Sequence, residues 1–213
     1  MVAAGARMVL VPPERLAGWL DRFAAGHGEV QVTAAADLVA ARAADGSVAL
    51  CEVPFPPLRL DLSDPWQNLV EHALVDRRIG LLLIRRGGYA AGIVEAGKLT
   101  ASKVGTRYVQ GRTAAGGQSQ QRFARRRDNQ AAALVGSAVD VAARVLVPEA
   151  RTLTALVTGG DRPLIVSALS DSRLAVLAAL PRGPWLTVGD PRLKVLQEAG
   201  QSARGVRITV ADG

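Results

Sequence analysis

Hydrophobic and polar positions along the chain change period several times. Leu16, Trp19, Leu20 and Phe23 recur at 3, 4 and 7 after Pro12-Pro13, and Gly26 to Gly28 closes the run, which predicts a helix. Glu29 to Thr33 alternates as a short strand, Ala34 to Ala43 reads as a helix stopped at Asp45-Gly46, and Ser47 to Val53 reads as a strand. Pro54, Pro56 and Pro57 then break the pattern, and a domain boundary is expected there, giving residues 1–57 as a small N-terminal α/β region and 58–213 as a second domain. Asp64-Pro65 starts a helix with an apolar stripe of Trp66, Leu69, Val70, Ala73 and Leu74. Ile79 to Arg85, Tyr89 to Glu95 and Leu99 to Val109 form a three-strand meander. It turns at Gly87-Gly88, where positive φ is expected, and at Ala96-Gly97. Gln110 to Gln118 has no apolar side chain larger than alanine and reads as an exposed loop. Ser119 is placed as the cap of one long helix to Val147, with Phe123, Gln130, Leu134, Ala138, Val141 and Val145 on its inner stripe. Beyond Pro148 come a strand over Thr152 to Thr158, a turn at Gly159-Gly160-Asp161 and a helix over Arg162 to Ser170. Extended pieces follow at Leu174 to Leu180 and Trp185 to Val188, then a helix from Asp190-Pro191 to Ala199 and a last strand over Val206 to Val210. Strands paired locally and then alternating with helices predict an α/β fold with a mixed sheet.

Length and composition fit this pattern. The chain has 213 residues, and at 49% apolar and 21% charged it can pack a core. Cys51 is the single cysteine, so no intramolecular disulfide forms, and it reads as a buried strand residue. His27 and His72 lie far apart with no ligand spacing, which disfavours a histidine metal site or a catalytic triad; no metal or cofactor is expected. The longest apolar candidate span, Ala131 to Val147, is interrupted by Asp140 and Arg144, and the run at Met8 to Val11 is too short for a signal peptide. The expectation is a cytoplasmic monomer that meets no membrane.

Charge changes the picture more than composition does. The chain carries 26 Lys and Arg against 19 Asp and Glu, a net charge of +7. Eight of the 26 fall between Ala96 and Arg127, where there is no acid at all: Lys98, Lys103, Arg107, Arg112, Arg122, Arg125, Arg126 and Arg127. The rest of the chain is left with 18 basic and 19 acidic residues, so one segment supplies the entire excess. A polyanion partner follows, with RNA the first candidate. Acidic i,i+4 partners that would make Arg122, Arg125 and Arg126 an ordinary solvated helix face are missing.

That segment contains Gly116-Gly117-Gln118-Ser119 followed by Arg122-Phe123-Ala124-Arg125. A Gly-Gly-Gln triplet alone arises in roughly one chain in ten of this composition, as short motifs do. Here it ends a basic, apolar-free loop between a meander and a long arginine-bearing helix. Over about Gly80 to Val147 the sequence resembles the middle, catalytic domain of eukaryotic and archaeal class-1 peptide-chain release factors. The hairpin at Gly87-Gly88, the strand through Lys103 to Tyr108, the triplet and the start of the helix carry the resemblance. The residues before it carry no recognisable stop-codon motif, and no third domain is expected after it. The short architecture is most similar to the Vms-like release factors of ribosome quality control.

The resemblance implies a codon-independent peptidyl-tRNA hydrolase. Gly116, Gly117 and Gln118 would be its catalytic residues. Lys103, Arg107, Arg112, Ser119, Arg122, Arg125, Arg126 and Arg127 would contact RNA, the partners being large-subunit ribosomal RNA and peptidyl-tRNA, with no DNA. The residue types suit that chemistry. No Asp, Glu, His or Cys lies in the loop, so it supplies no general base of suitable pKa. It supplies position, exclusion of water and a backbone N–H for the oxyanion. Glycines let the backbone approach RNA closely. The alternative is a non-catalytic RNA- or ribosome-binding protein using the same basic face. A nuclease ranks below both, because no acidic constellation stands out. Gly159-Gly160-Asp161 reads as a turn with an Asp cap rather than a phosphate loop. Trp19, Trp66, Trp185 and Phe123 read as core, and His72 as structural.

Overall fold

The computed structural model describes residues 6–60, 64–106 and 118–213; the side chains of residues 118–124, 126 and 127 lie outside that description. The chain forms two compact units, residues 1–76 with 201–213, and residues 77–200.

In the first unit, β1 (Arg7–Val11), β2 (Val30–Ala34), β3 (Leu38–Ala43), β4 (Val48–Glu52) and β9 (Val206–Ala211) make an antiparallel sheet in the order β1-β9-β4-β3-β2. One face carries Val39, Ala41, Ala49, Cys51, Ile208 and Val210. It packs against Leu16, Leu20 and Phe23 of α1 (Pro13–His27) and Leu69, Val70 and Ala73 of α2 (Pro65–Leu74). Burial pushes the Cys51 thiol up to about 12, so it is inert at neutral pH. Asp64 caps α2 by accepting from the Trp66 and Gln67 N–H groups at 2.9 and 3.1 Å, with Pro65 in the first turn. Trp19 stacks on Phe23, Trp66 packs against the same core, and the His72 ring hydrogen-bonds Pro54 O at 2.7 Å.

The second unit holds a mixed sheet in the order β7-β6-β5-β8. β5 (Ile79–Arg85), β6 (Gly88–Glu95) and β7 (Lys98–Thr106) are the expected meander, and β8 (Ala155–Gly160) runs parallel to β5. α3 (Gln118–Val145), α4 (Arg162–Leu169) and α5 (Ala175–Ala178) close one face around Leu82, Ile84, Ala91, Ile93, Leu134, Ala138, Ala142, Leu146 and Ile165. On the opposite face, Leu196 of α6 (Leu193–Arg204) lies against Gly92, and Gly200 lies against Val94 and Leu81. Residues Asp128 to Glu149 are long and apolar enough to span a membrane by length and composition. Their buried members, Leu134, Ala138, Val139, Val141, Ala142 and Leu146, belong to this core.

Several expectations change. Ala34 to Ala43 is not a helix: β3 occupies residues 38–43 and alternates buried and less buried positions between β2 and β4. Its three alanines suit a helix, but pairing on both edges overrides that weak preference. Leu174 to Leu180 is not extended. Leu174 and Leu177, both fully buried, share one face of a 3-10 turn continuing into α5, which is the i,i+3 spacing of a helix. The units divide at 76/77 and 200/201 rather than at 57/58, because α2 packs in the first core and β9 inserts between β1 and β4. Ser119 lies inside α3 rather than capping it. Neither Gly87 nor Gly88 takes positive φ; Ala96 at +47° and Gly97 at +73° do. Gly88 serves close approach instead, since a Cβ there would stand 2.7 Å from Gly105 O.

Gly160 ends β8 at φ +100°, where a Cβ would run into Ile84 O. Gly160→Ala combines left-handed strain with that clash and is expected to lower stability by about 1–3 kcal/mol. A urea-denaturation midpoint measures it.

Candidate functional site

The site is built at one end of the second sheet. β7 runs toward this end as the outer strand and is exposed along most of its length. Its last residue, Thr106, pairs with Gly88, just after the Arg86-Gly87 turn. Gly105 pairs with Tyr89, whose ring occupies the space a side chain at 105 would need. Tyr89 in turn packs on the core under α3, so the end of β7 is fixed by a core aromatic.

α3 runs back the other way. Its final turns stand over the opposite end of the sheet, where Leu146 lies beside Gly80. Leu134 is the first of its described side chains to be buried; Arg125, Asp128 and Asn129 are exposed and Gln130 is half-buried. At 1.5 Å per residue, Gln118 stands about 24 Å before Leu134 along the helix. The first half of α3 therefore spends no described side chain on the core. Arg173 anchors its C-terminal part through Asp140 at 2.6 Å while also bonding Asp171, and this pairing holds the Asp171 carboxyl at about 2.

Of the candidate residues, the structure describes Lys103, Gln118, Ser119, Arg122, Arg125, Arg126 and Arg127, the last five and Gln118 all on α3. Lys103 is exposed on β7 and pairs with Ala91, which is buried under α3, so Lys103 faces the same side as that helix. Arg125 is exposed. Arg122, Arg125 and Arg126 share one side of α3 by their 0, 3, 4 spacing. Gly116, Gly117, Arg107, Arg112 and the exposed loop itself lie outside the described residues. The nearest acid after the triplet is Asp128, ten residues and about 15 Å along α3 from Gln118. Among the described residues, no three His, Cys, Asp or Glu side chains converge as a metal site would need.

Sequence reasoning missed four arginines at this end of the sheet. Arg85 and Arg86 close the β5–β6 turn, Arg162 opens α4, and Arg192 precedes α6. They lie outside the acid-free window, and only strand pairing reveals them. Asp161, expected as a cap, occupies the cap position of α4, but its side chain bonds no helix N–H. Trp185 packs against the core as expected, half-buried, with the Arg162 guanidinium 4.3 Å from its ring centroid.

No curated protein matches the sequence. Among solved structures, an archaeal translation termination factor, aRF1, aligns at 14% identity and a TM-score of 0.40, covering 95% of this chain and 68% of that one. The Vms1 mitochondrial localization core aligns at 11% identity and a TM-score of 0.44, covering 80% and 75% respectively. The model of the Actinobacteria/chloroflexi VLRF1 release factor family matches residues 77–209, well over half of the chain and all of the segment from β5 through α6. The chain belongs to that release factor family, with a release-factor-like role at the ribosome.

Proposed function

We propose that the chain hydrolyses the ester of peptidyl-tRNA on the ribosomal large subunit, without reading a codon. One observation carries this reading: Gly116-Gly117-Gln118 falls within the family match, in a stretch with eight basic residues and no acid. Water attacks the ester carbonyl, an oxyanion forms, and the 3′ ribose oxygen leaves with a proton. The products are a peptide acid and a tRNA with a free 3′ hydroxyl.

In this reading the backbone N–H groups at and just after Gln118, the first described residue of α3, serve as the donors. Those donors sit at the positive end of the helix dipole, where a developing oxyanion is stabilised. The Gln118 amide is left to hold water, and the two glycines let the backbone close on RNA. Lys103, Arg107, Arg112, Ser119, Arg122, Arg125, Arg126 and Arg127 orient the protein through phosphates and do no chemistry. Cytoplasmic location and a monomeric state complete the reading.

The competing reading, a ribosome-binding protein without hydrolysis, shares every basic contact. Binding and release measured on one preparation of stalled large subunits separate the two. Salt-sensitive association together with nascent-chain release supports the hydrolase. Association of equal strength with no release leaves only the binder.

A further inference from the structure

Arg162 is out of place for helix stability. It is the first residue of α4, whose first turn holds no acid, and a cation at a helix N-terminus opposes the dipole. Among the described residues Arg162 makes no ion pair; its guanidinium lies over Trp185, 4.3 Å from the ring centroid. An arginine laid on an indole has its plane fixed while its N–H edges stay open, the state best suited to gripping phosphate. β8 is parallel to β5 and pairs Gly160 with Ile84, while Asp161 N donates to Ile84 O at 2.8 Å. Arg162 and Arg86 are thus each two residues past one rung of adjacent strands. Arg85 lies between them, crossing Gly160 and donating to Val188 O at 2.9 Å. Two acids share this end, a half-buried Asp161 and an exposed Asp190 beside Gly87, against Arg85, Arg86, Arg162 and Arg192. Arg86 is exposed and, among the described residues, has no ion pair.

We propose that Arg86 and the Trp185-backed Arg162 form a second phosphate-binding surface, which grips the backbone of the RNA duplex whose 3′ end carries the ester. This rests on the hydrolase reading for its substrate. Its own support is the strand pairing: Arg86 lies two residues before Gly88, and Gly88 pairs with Thr106, which lies within the basic segment. Neither arginine acts on the ester.

The test uses the full chain and a short hairpin RNA with a single-stranded 3′ end, followed by fluorescence anisotropy across a salt series. The Arg86→Glu/Arg162→Glu double variant is expected to raise Kd at least tenfold and to flatten the plot of log K against log salt by about 1–2. Arg162→Lys, which keeps the charge but not the stacked plane, falls between. Arg151→Glu reverses one charge, half the change of the double variant, at an exposed position before the start of β8, the other end of the sheet, and is expected to bind within about twofold of wild type. Unchanged urea midpoints establish that the variants fold. Failure of the wild type to bind, double-variant binding within twofold of wild type, or an equal loss in Arg151→Glu overturns the surface. Arginine-dependent binding by a wild type that releases no peptide keeps the surface and removes the hydrolase. Peptide release with binding indifferent to Arg86 and Arg162 does the reverse.

Discussion

Gln118→Pro slows single-turnover ester cleavage by on the order of 100–1,000-fold, the cost of removing one oxyanion donor. Proline is the substitution that isolates the donor. It deletes the backbone N–H of Gln118 and leaves the neighbouring backbone donors in place. Gln118→Ala makes the complementary cut: the N–H stays and the water-holding amide goes. Both variants lose release, and the proline variant loses at least as much. Neither change touches an arginine, so association with the large subunit stays within about twofold of wild type. A proline variant that cleaves at the wild-type rate would remove the backbone donor from the mechanism and leave the amide alone.

Reversing Arg122, Arg125 and Arg126 together to glutamate has the largest effect on binding. The three share one side of α3 by their spacing, and Arg125 is exposed. Each phosphate contact contributes about 0.7–0.9 to the salt slope, so losing three flattens that slope by about 2–3 and weakens association most at low salt. Release falls in parallel at limiting protein and recovers in part at saturating protein, because the arginines deliver the loop and do no chemistry. The fold survives, since among the described side chains of α3 the core begins at Leu134. A release defect that persists unchanged at saturation would place these arginines in the chemistry rather than in delivery.

What was legible in the sequence had local causes. The meander β5-β6-β7 followed from apolar runs broken by short turns, and α2 from Asp64-Pro65. α3 followed from a long stretch free of proline. What failed depended on partners distant in sequence. β1 showed only a four-residue apolar run, and it is a strand because β9, at the far end of the chain, pairs with it. β3 looked helical because alanine suits helices, and β2 and β4 make it a strand. Pro54, Pro56 and Pro57 mark a break in the chain pattern, while the compact units divide at 76/77 and 200/201, where segments distant in sequence pack together. The basic window was visible as a run of charge. Arg86 and Arg162 were not, because 76 positions separate them in the sequence and one pair of parallel strands joins them.

The central claim is that Gly116-Gly117-Gln118 cleaves the peptidyl-tRNA ester. The most direct measurement is single-turnover release of a labelled nascent chain from purified stalled large subunits by wild type, Gly117→Ala and Gln118→Ala, at saturating protein. Rapid release by wild type and a loss on the order of 100-fold or more in each variant, with binding retained, is the expected result. No release by wild type, or release by both variants at its rate, would contradict it.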